Sequence, residues 1–228
     1  AELSWRVGNT VEANKSWDKI LDKYSKDQNT YLKVSQTQIN LRLFDKAIST
    51  LILGRKRLGS SEIFDDPLVK LYIAIGDYKN GFSEIISQFH KKYNIAQAQG
   101  RLYALMINEE ANTFIGQELK KLSNDFVENI FFQEIYSWYL RTTGNAVESL
   151  NLVISIDKLK GSKGLDILNF ANVTSYDGNY DIAIRAYKLV IDMGKNSPYV
   201  SSALFGFTKT LEDKINIDKK EISKQDAD

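Results

Sequence analysis

His90 is the single histidine of the chain, and there is no cysteine. A metal site needs two or three such ligands and a general base needs an orienting partner, so His90 reads as a surface residue favoured by the C-terminal dipole of a helix. Without cysteine, nucleophilic triads of the common kinds have no second route, and neither disulfides nor thiolate ligands exist. Two carboxylate pairs are the remaining acid and base candidates, Asp65-Asp66 and Glu109-Glu110. The first stands beside Pro67 at a helix start, where negative charge is stabilising. The second is adjacent in sequence, so on a helix its members point about 100° apart and do not converge on one substrate. The Gly-Ser-Lys-Gly stretch at 161–164 has the residue types of a phosphate loop but not the spacing, and reads as a turn. These residues point away from an enzyme, and no metal and no cofactor is expected.

The elements that position these residues follow from a period. Stepping by 34 from Ala13 gives Ala47, Gly81, Ile115, Ser149 and Ala183, mostly small. Five residues upstream stand Gly8, Arg42, Gly76, Glu110, Gly144 and Gly178. Four residues downstream stand Trp17, Leu51, Ile85, Leu119, Val153 and Tyr187, all apolar or aromatic. Six cycles without an insertion signal a helical solenoid, in which each unit buries its face against its neighbours. Each unit holds two helical segments: a first with apolar residues three and four apart, as in Leu68, Tyr72 and Ile75, and a second that starts near the Gly. The Gly marks the tight turn between them. The small residue lets the helices of a hairpin approach, and the large one fills the space between hairpins.

A helix-turn-helix of 34 residues with Gly, small and aromatic positions at these offsets resembles the tetratricopeptide repeat (TPR) family over nearly the whole chain. The family's aromatic two residues after the Gly position appears as Phe44, Tyr78 and Tyr180. The first-helix Trp is mostly replaced, and the Pro that ends each family unit is missing, since Pro67 and Pro198 both fall near first-helix starts. The resemblance implies an all-α, right-handed superhelical solenoid of antiparallel hairpins, with about six repeats plus a C-terminal capping helix. On this reading 1–212 form the repeat domain, its first unit incomplete, and 213–228 a polar tail or cap. The unit around Glu109, Glu110 and Ile115 is degenerate. The incomplete first unit suggests a longer parent protein.

The resemblance further implies a non-catalytic scaffold that binds a partner protein or peptide in a concave groove lined by first helices. The inward positions carried over are Gln36 and Asn40, then Lys70, Asn108, Glu134, Trp138, Arg141, Asn172 and Tyr176, with Leu168 and Ser175 beside the last two. Amides suit a peptide backbone, and Trp, Arg and Tyr are the types that dominate interface energies. The paired Lys and Asn that some family members use to clamp a C-terminal carboxylate are not found. The alternative is a peptide-sensing regulatory domain of a larger protein.

The charge distribution adds one local feature. With 30 basic and 29 acidic side chains, no global field draws the chain to nucleic acid, and no apolar run approaches the length of a membrane span. Lys23, Arg57 and Lys91 recur at one repeat position and form a basic edge, either a partner surface or cations that complement helix C-termini. Abundant Asn, Lys, Ile and Tyr resemble a bacterial composition, and leave envelope and cytoplasm undivided.

Overall fold

The structure, a computed structural model, describes residues 1–225, with side chains to residue 217. Among the described residues there are thirteen α-helices and no strand. They are α1 (Glu2–Arg6), α2 (Thr10–Lys23), α3 (Gln28–Asn40), α4 (Phe44–Leu58), α5 (Asp65–Ile75), α6 (Tyr78–Lys92) and α7 (Ile95–Met106). Then follow α8 (Glu109–Asp125), α9 (Ile130–Thr142), α10 (Ala146–Lys160), α11 (Leu165–Tyr176), α12 (Tyr180–Asp192) and α13 (Val200–Gln225). A short 3-10 turn, Gly194–Asn196, precedes α13. Successive helices pack in chain order, from α1 to α7 in the N-terminal part and from α9 to α13 in the C-terminal part, as hairpins do.

Local chemistry sets the helix ends. At the turn position Gly8, Gly76, Gly144 and Gly178 all have φ between 72 and 84°, and Arg42 adopts the same left-handed region at 59°. Glycine enters that region without the Cβ clash that penalises other residues. The following helix starts two residues later in each case. Side-chain caps complete several starts: Asn9 accepts from the Glu12 N–H, Asp77 from Asn80 and Asn129 from Phe132. In the degenerate unit, which has no turn glycine, Glu110 lies inside α8 and the helix begins at Glu109, earlier in the period than its counterparts. Asn108 caps it by accepting from the Ala111 N–H at 2.9 Å.

The chain divides into two compact units, Ala1–Ile115 and the part from Gly116 onward, and the division falls within α8. In the first unit Ala13, Ala47, Trp17, Leu51 and Ile85 are buried, as is Gly81. Tyr31, Phe64, Leu68 and Leu71 join the core around α2 to α5. In the second unit Ser149, Ala183, Val153 and Tyr187 fill the same repeat positions and are buried. Ser149 donates its hydroxyl to the Ser137 carbonyl at 2.8 Å, a bond between α10 and α9 that only a small side chain at the crossing allows. Each large apolar side chain so buried contributes about 1.5–3 kcal/mol. Helix α13 follows Pro198 and continues through the segment read as a polar tail or cap, as far as Gln225, while 226–228 lie outside the described residues.

Candidate functional site: a cleft between the last hairpin and the closing helix

In the second unit a cleft of about 750 Å³ opens between α11 and α13, floored by α12. The α11 wall carries Leu168, Asn172, Ser175 and Tyr176. The α13 wall carries Ser202, Gly206, Lys209 and Thr210, the same four positions one 34-residue period later. The two walls are thus successive copies of one helix face, a consequence of stacking equivalent first helices side by side.

The floor is built by a close approach. A Cβ on Gly206 would stand 2.5 Å from the Tyr187 ring, so only glycine lets the tyrosine lie flat against the α13 backbone. Burial holds the Tyr187 phenol above its ordinary value, so it stays protonated and donates to Asn172 Oδ1 at 2.8 Å. That bond fixes the Asn172 amide, with its NH2 group available for an acceptor. The Ser175 and Thr210 hydroxyls join the walls at 2.7 Å, and Thr210 also donates to the Gly206 carbonyl. Above this rigid base the side chains open to solvent: Tyr176 is 91% exposed and Phe205, next to Gly206, is 74% exposed. Lys209 and Asp213 are the two charged lining residues, so the cleft carries no net charge.

The other expected groove residues are not gathered into this cleft. Glu134 accepts from Lys160 at 3.2 Å, and Lys160 also bonds Asp166. Arg141 is ion-paired with Asp177. Trp138 is half-buried on α9, neither core nor fully free. In the first unit Gln36 donates to Asn40 at 3.0 Å, both exposed on α3, and Lys70 is exposed on α5. Asn108, expected on a first helix, belongs instead to the turn before α8, where capping occupies its side-chain oxygen.

The basic edge is largely engaged within the chain. Arg57 donates to the Leu21 carbonyl at 3.0 Å and to Asp22 at 2.7 Å, which ties α4 to the C-terminal end of α2. Lys91 donates to Glu62 at 2.9 Å, and Lys23 lies 5.2 Å from the Tyr24 ring. Such exposed pairs contribute about 0–1 kcal/mol each; that of Arg57 connects successive hairpins, and that of Lys91 ties α6 to the connection before α5.

The acid candidates also have structural partners. Asp65 bonds Arg55, which reaches Glu84 as well, and Glu110 accepts from the Tyr78 hydroxyl at 2.5 Å. The 161–164 turn directs backbone amides at a carboxylate of the chain itself. The Gly164 N–H donates to both Asp157 oxygens, at 3.0 and 2.9 Å, and the Asp166 N–H donates at 3.1 Å. The buried Asp157 therefore fills the place where a phosphate loop would hold its ligand. No group of metal-ligating side chains and no helix long and apolar enough to cross a membrane occurs among the described residues.

The α13 wall was not identified from the sequence, although the signal was there: one more step of the period from Leu168, Asn172, Ser175 and Tyr176 reaches all four of its residues. Phe205 has no such signal, because its counterpart one period earlier is the buried Ala171.

No family model and no curated protein sequence matches the chain. Among solved structures it is similar to YrrB, described as a TPR protein with an unusual peptide-binding site, at 13% identity and a TM-score of 0.36, covering 83% of this chain and 96% of that one. It is also similar to the TPR domain of P58(IPK), at 15% identity and a TM-score of 0.30, over 92% of this chain and 63% of that one. The chain thus matches TPR proteins over most of its length. The repeat assignment stands on its own register, its left-handed turns and its buried small positions.

Proposed function

We propose that the protein is a non-catalytic binding module that holds an extended peptide segment of a partner protein in the cleft between α11 and α13. The observation that carries this reading is the pair of facing walls made from equivalent positions, rigid at the base and lined above with exposed aromatic rings. A peptide backbone offers alternating donors and acceptors, which the Asn172 amide and the Ser201 and Ser202 hydroxyls match without demanding particular side chains. Tyr176 and Phe205 supply large apolar area at low conformational cost, the property of residues that dominate interface energies. Balanced charge at Lys209 and Asp213 favours a segment that is neutral overall. Trp138 and Arg141, at the preceding copy of the same face, extend the contact surface in this reading. In this reading Arg57 and Lys91 of the basic row serve bonding within the stack, and Lys23 lies over the ring of Tyr24.

The test is selection of a displayed random-peptide library on the folded protein, followed by titration of enriched peptides against the wild type and the Tyr176→Ala, Phe205→Ala double variant. Both side chains are exposed, so the variant keeps its helicity. Loss of the two anchors is expected to weaken binding by about 30-fold or more, given roughly 1 kcal/mol or more for each. Failure of any peptide to enrich, or equal affinity for both proteins, would remove the reading.

A further inference from the structure

The cleft between α11 and α13 has two levels of different chemistry. At the base, polar groups are joined to one another: Tyr187 donates to Asn172 Oδ1 at 2.8 Å, the Ser175 and Thr210 hydroxyls meet at 2.7 Å, and Thr210 donates to the Gly206 carbonyl at 2.8 Å. The Thr210 proton is used on that carbonyl, so the hydrogen between the two hydroxyls comes from Ser175. The Asn172 NH2 group is the donor of the base that still points to an acceptor from outside. At the rim stand two flat apolar faces, Tyr176 on one wall and Phe205 on the other, 91% and 74% exposed.

A ligand that fits both levels presents carbonyl oxygens inward and apolar surface to the rings. Ser201, Ser202 and Lys209 can donate to further carbonyls, whereas Asp213 is the one charged acceptor among the lining residues. Lys209 and Asp213 stand four residues apart on α13, so each can balance the other and the ligand need bring no charge. A strand-like peptide carries an N–H group at every residue, each of which needs an acceptor. A polyproline II segment carries none at its prolines, has no internal hydrogen bonds, and leaves its carbonyls turned outward between apolar pyrrolidine rings.

Taking the cleft as a peptide site, the reading on which this step rests, we infer that it selects a proline-rich segment of the partner in the polyproline II conformation. Pyrrolidine rings lie against Tyr176 and Phe205, and a backbone carbonyl accepts from the Asn172 NH2 group. Such a segment is extended before it binds, so little conformational freedom is lost, and aromatic faces beside carbonyl-directed donors are the recurring means of holding it. Tyr187 acts here as a positioning residue, because its hydroxyl occupies Asn172 Oδ1 and turns the NH2 group to the ligand.

The probes are two labelled, end-capped peptides of equal length, an oligoproline and an alternating Ala-Gln sequence, titrated against the full chain and read by fluorescence anisotropy. The oligoproline is expected to bind saturably and about tenfold tighter than the other, the effect of two ring contacts. Asn172→Asp keeps an acceptor for the Tyr187 hydroxyl but puts an oxygen where the NH2 group stood, which a proline backbone cannot meet. Oligoproline binding to that variant should fall about tenfold or more with helicity unchanged. Equal affinity for the two peptides, or oligoproline binding untouched by Asn172→Asp, would overturn the proline preference. Library peptides that enrich, lack proline and lose affinity for the Tyr176→Ala, Phe205→Ala protein would also overturn it while leaving the cleft a peptide site. Absence of binding by the oligoproline and by every library peptide would remove both.

Discussion

Asp27 stands immediately before α3, and its carboxylate accepts from the Thr30 hydroxyl at 2.6 Å and from the Asn29 N–H at 3.1 Å. The Thr30 bond holds its pKa below the ordinary carboxylate value; partial desolvation works against this, and the Asn29 and Thr30 amides add to it. A depressed folded-state pKa means that the cap stabilises the helix fully above the unfolded value of about 3.9 and is lost as pH falls through the folded value. The stability difference between wild type and Asp27→Ala is therefore expected to be constant at neutral pH and to shrink towards zero below about pH 4. Urea titrations at a series of pH values check this, and a difference independent of pH down to strong acid would mean that the charge plays no part in the cap. Glu62, lowered by its bond to Lys91, contributes in the same direction. At this scale most polar residues that look chemically capable have structural partners, as Asp157 does at its turn.

The unit of construction is the hairpin, and its turn depends on one backbone conformation. Arg42 adopts φ 59° where four equivalent positions use glycine. A non-glycine residue there costs about 1–2 kcal/mol, which replacement relieves, while glycine's extra freedom in the unfolded chain returns part of the gain. Arg42→Gly is thus expected to stabilise the protein by about 0.5–1 kcal/mol, read as a shift in the denaturation midpoint with unchanged slope. Gly178→Ala should do the reverse. The degenerate unit shows the other outcome of losing the turn glycine: with Glu110 at that position, the second helix starts early under an Asn108 cap.

For the whole molecule, two compact units meet within one helix, and each has its own buried cluster. Stability in a repeat protein is close to a sum of unit and nearest-neighbour terms, so damage stays local. Ala183 is fully buried at the crossing of the last hairpin. Ala183→Trp should overpack it and cost about 1–3 kcal/mol or more. Hydrogen exchange should show lost protection in α11 and α12 with α3 and α4 unchanged. A uniform loss across both units would refute the nearest-neighbour picture.

What the sequence determined by itself was the repeat: helix order, turn positions, and which residues are small and buried at the crossings. These follow from residue type at a fixed offset, since a glycine's backbone freedom and an alanine's size act within one hairpin wherever it stands. Only the tertiary structure decided which polar residues remain available for binding. Arg141 meets Asp177, Lys160 meets Glu134, and Arg57 meets Leu21 and Asp22, partners 26 to 36 residues apart. Asn172 and Tyr176, by contrast, open into a cleft whose second wall is α13. The physical reason is that the partners of a surface side chain are set by the neighbouring hairpin's side chains and rotamers. A single-residue pattern specifies which face a residue occupies, but not what that face meets.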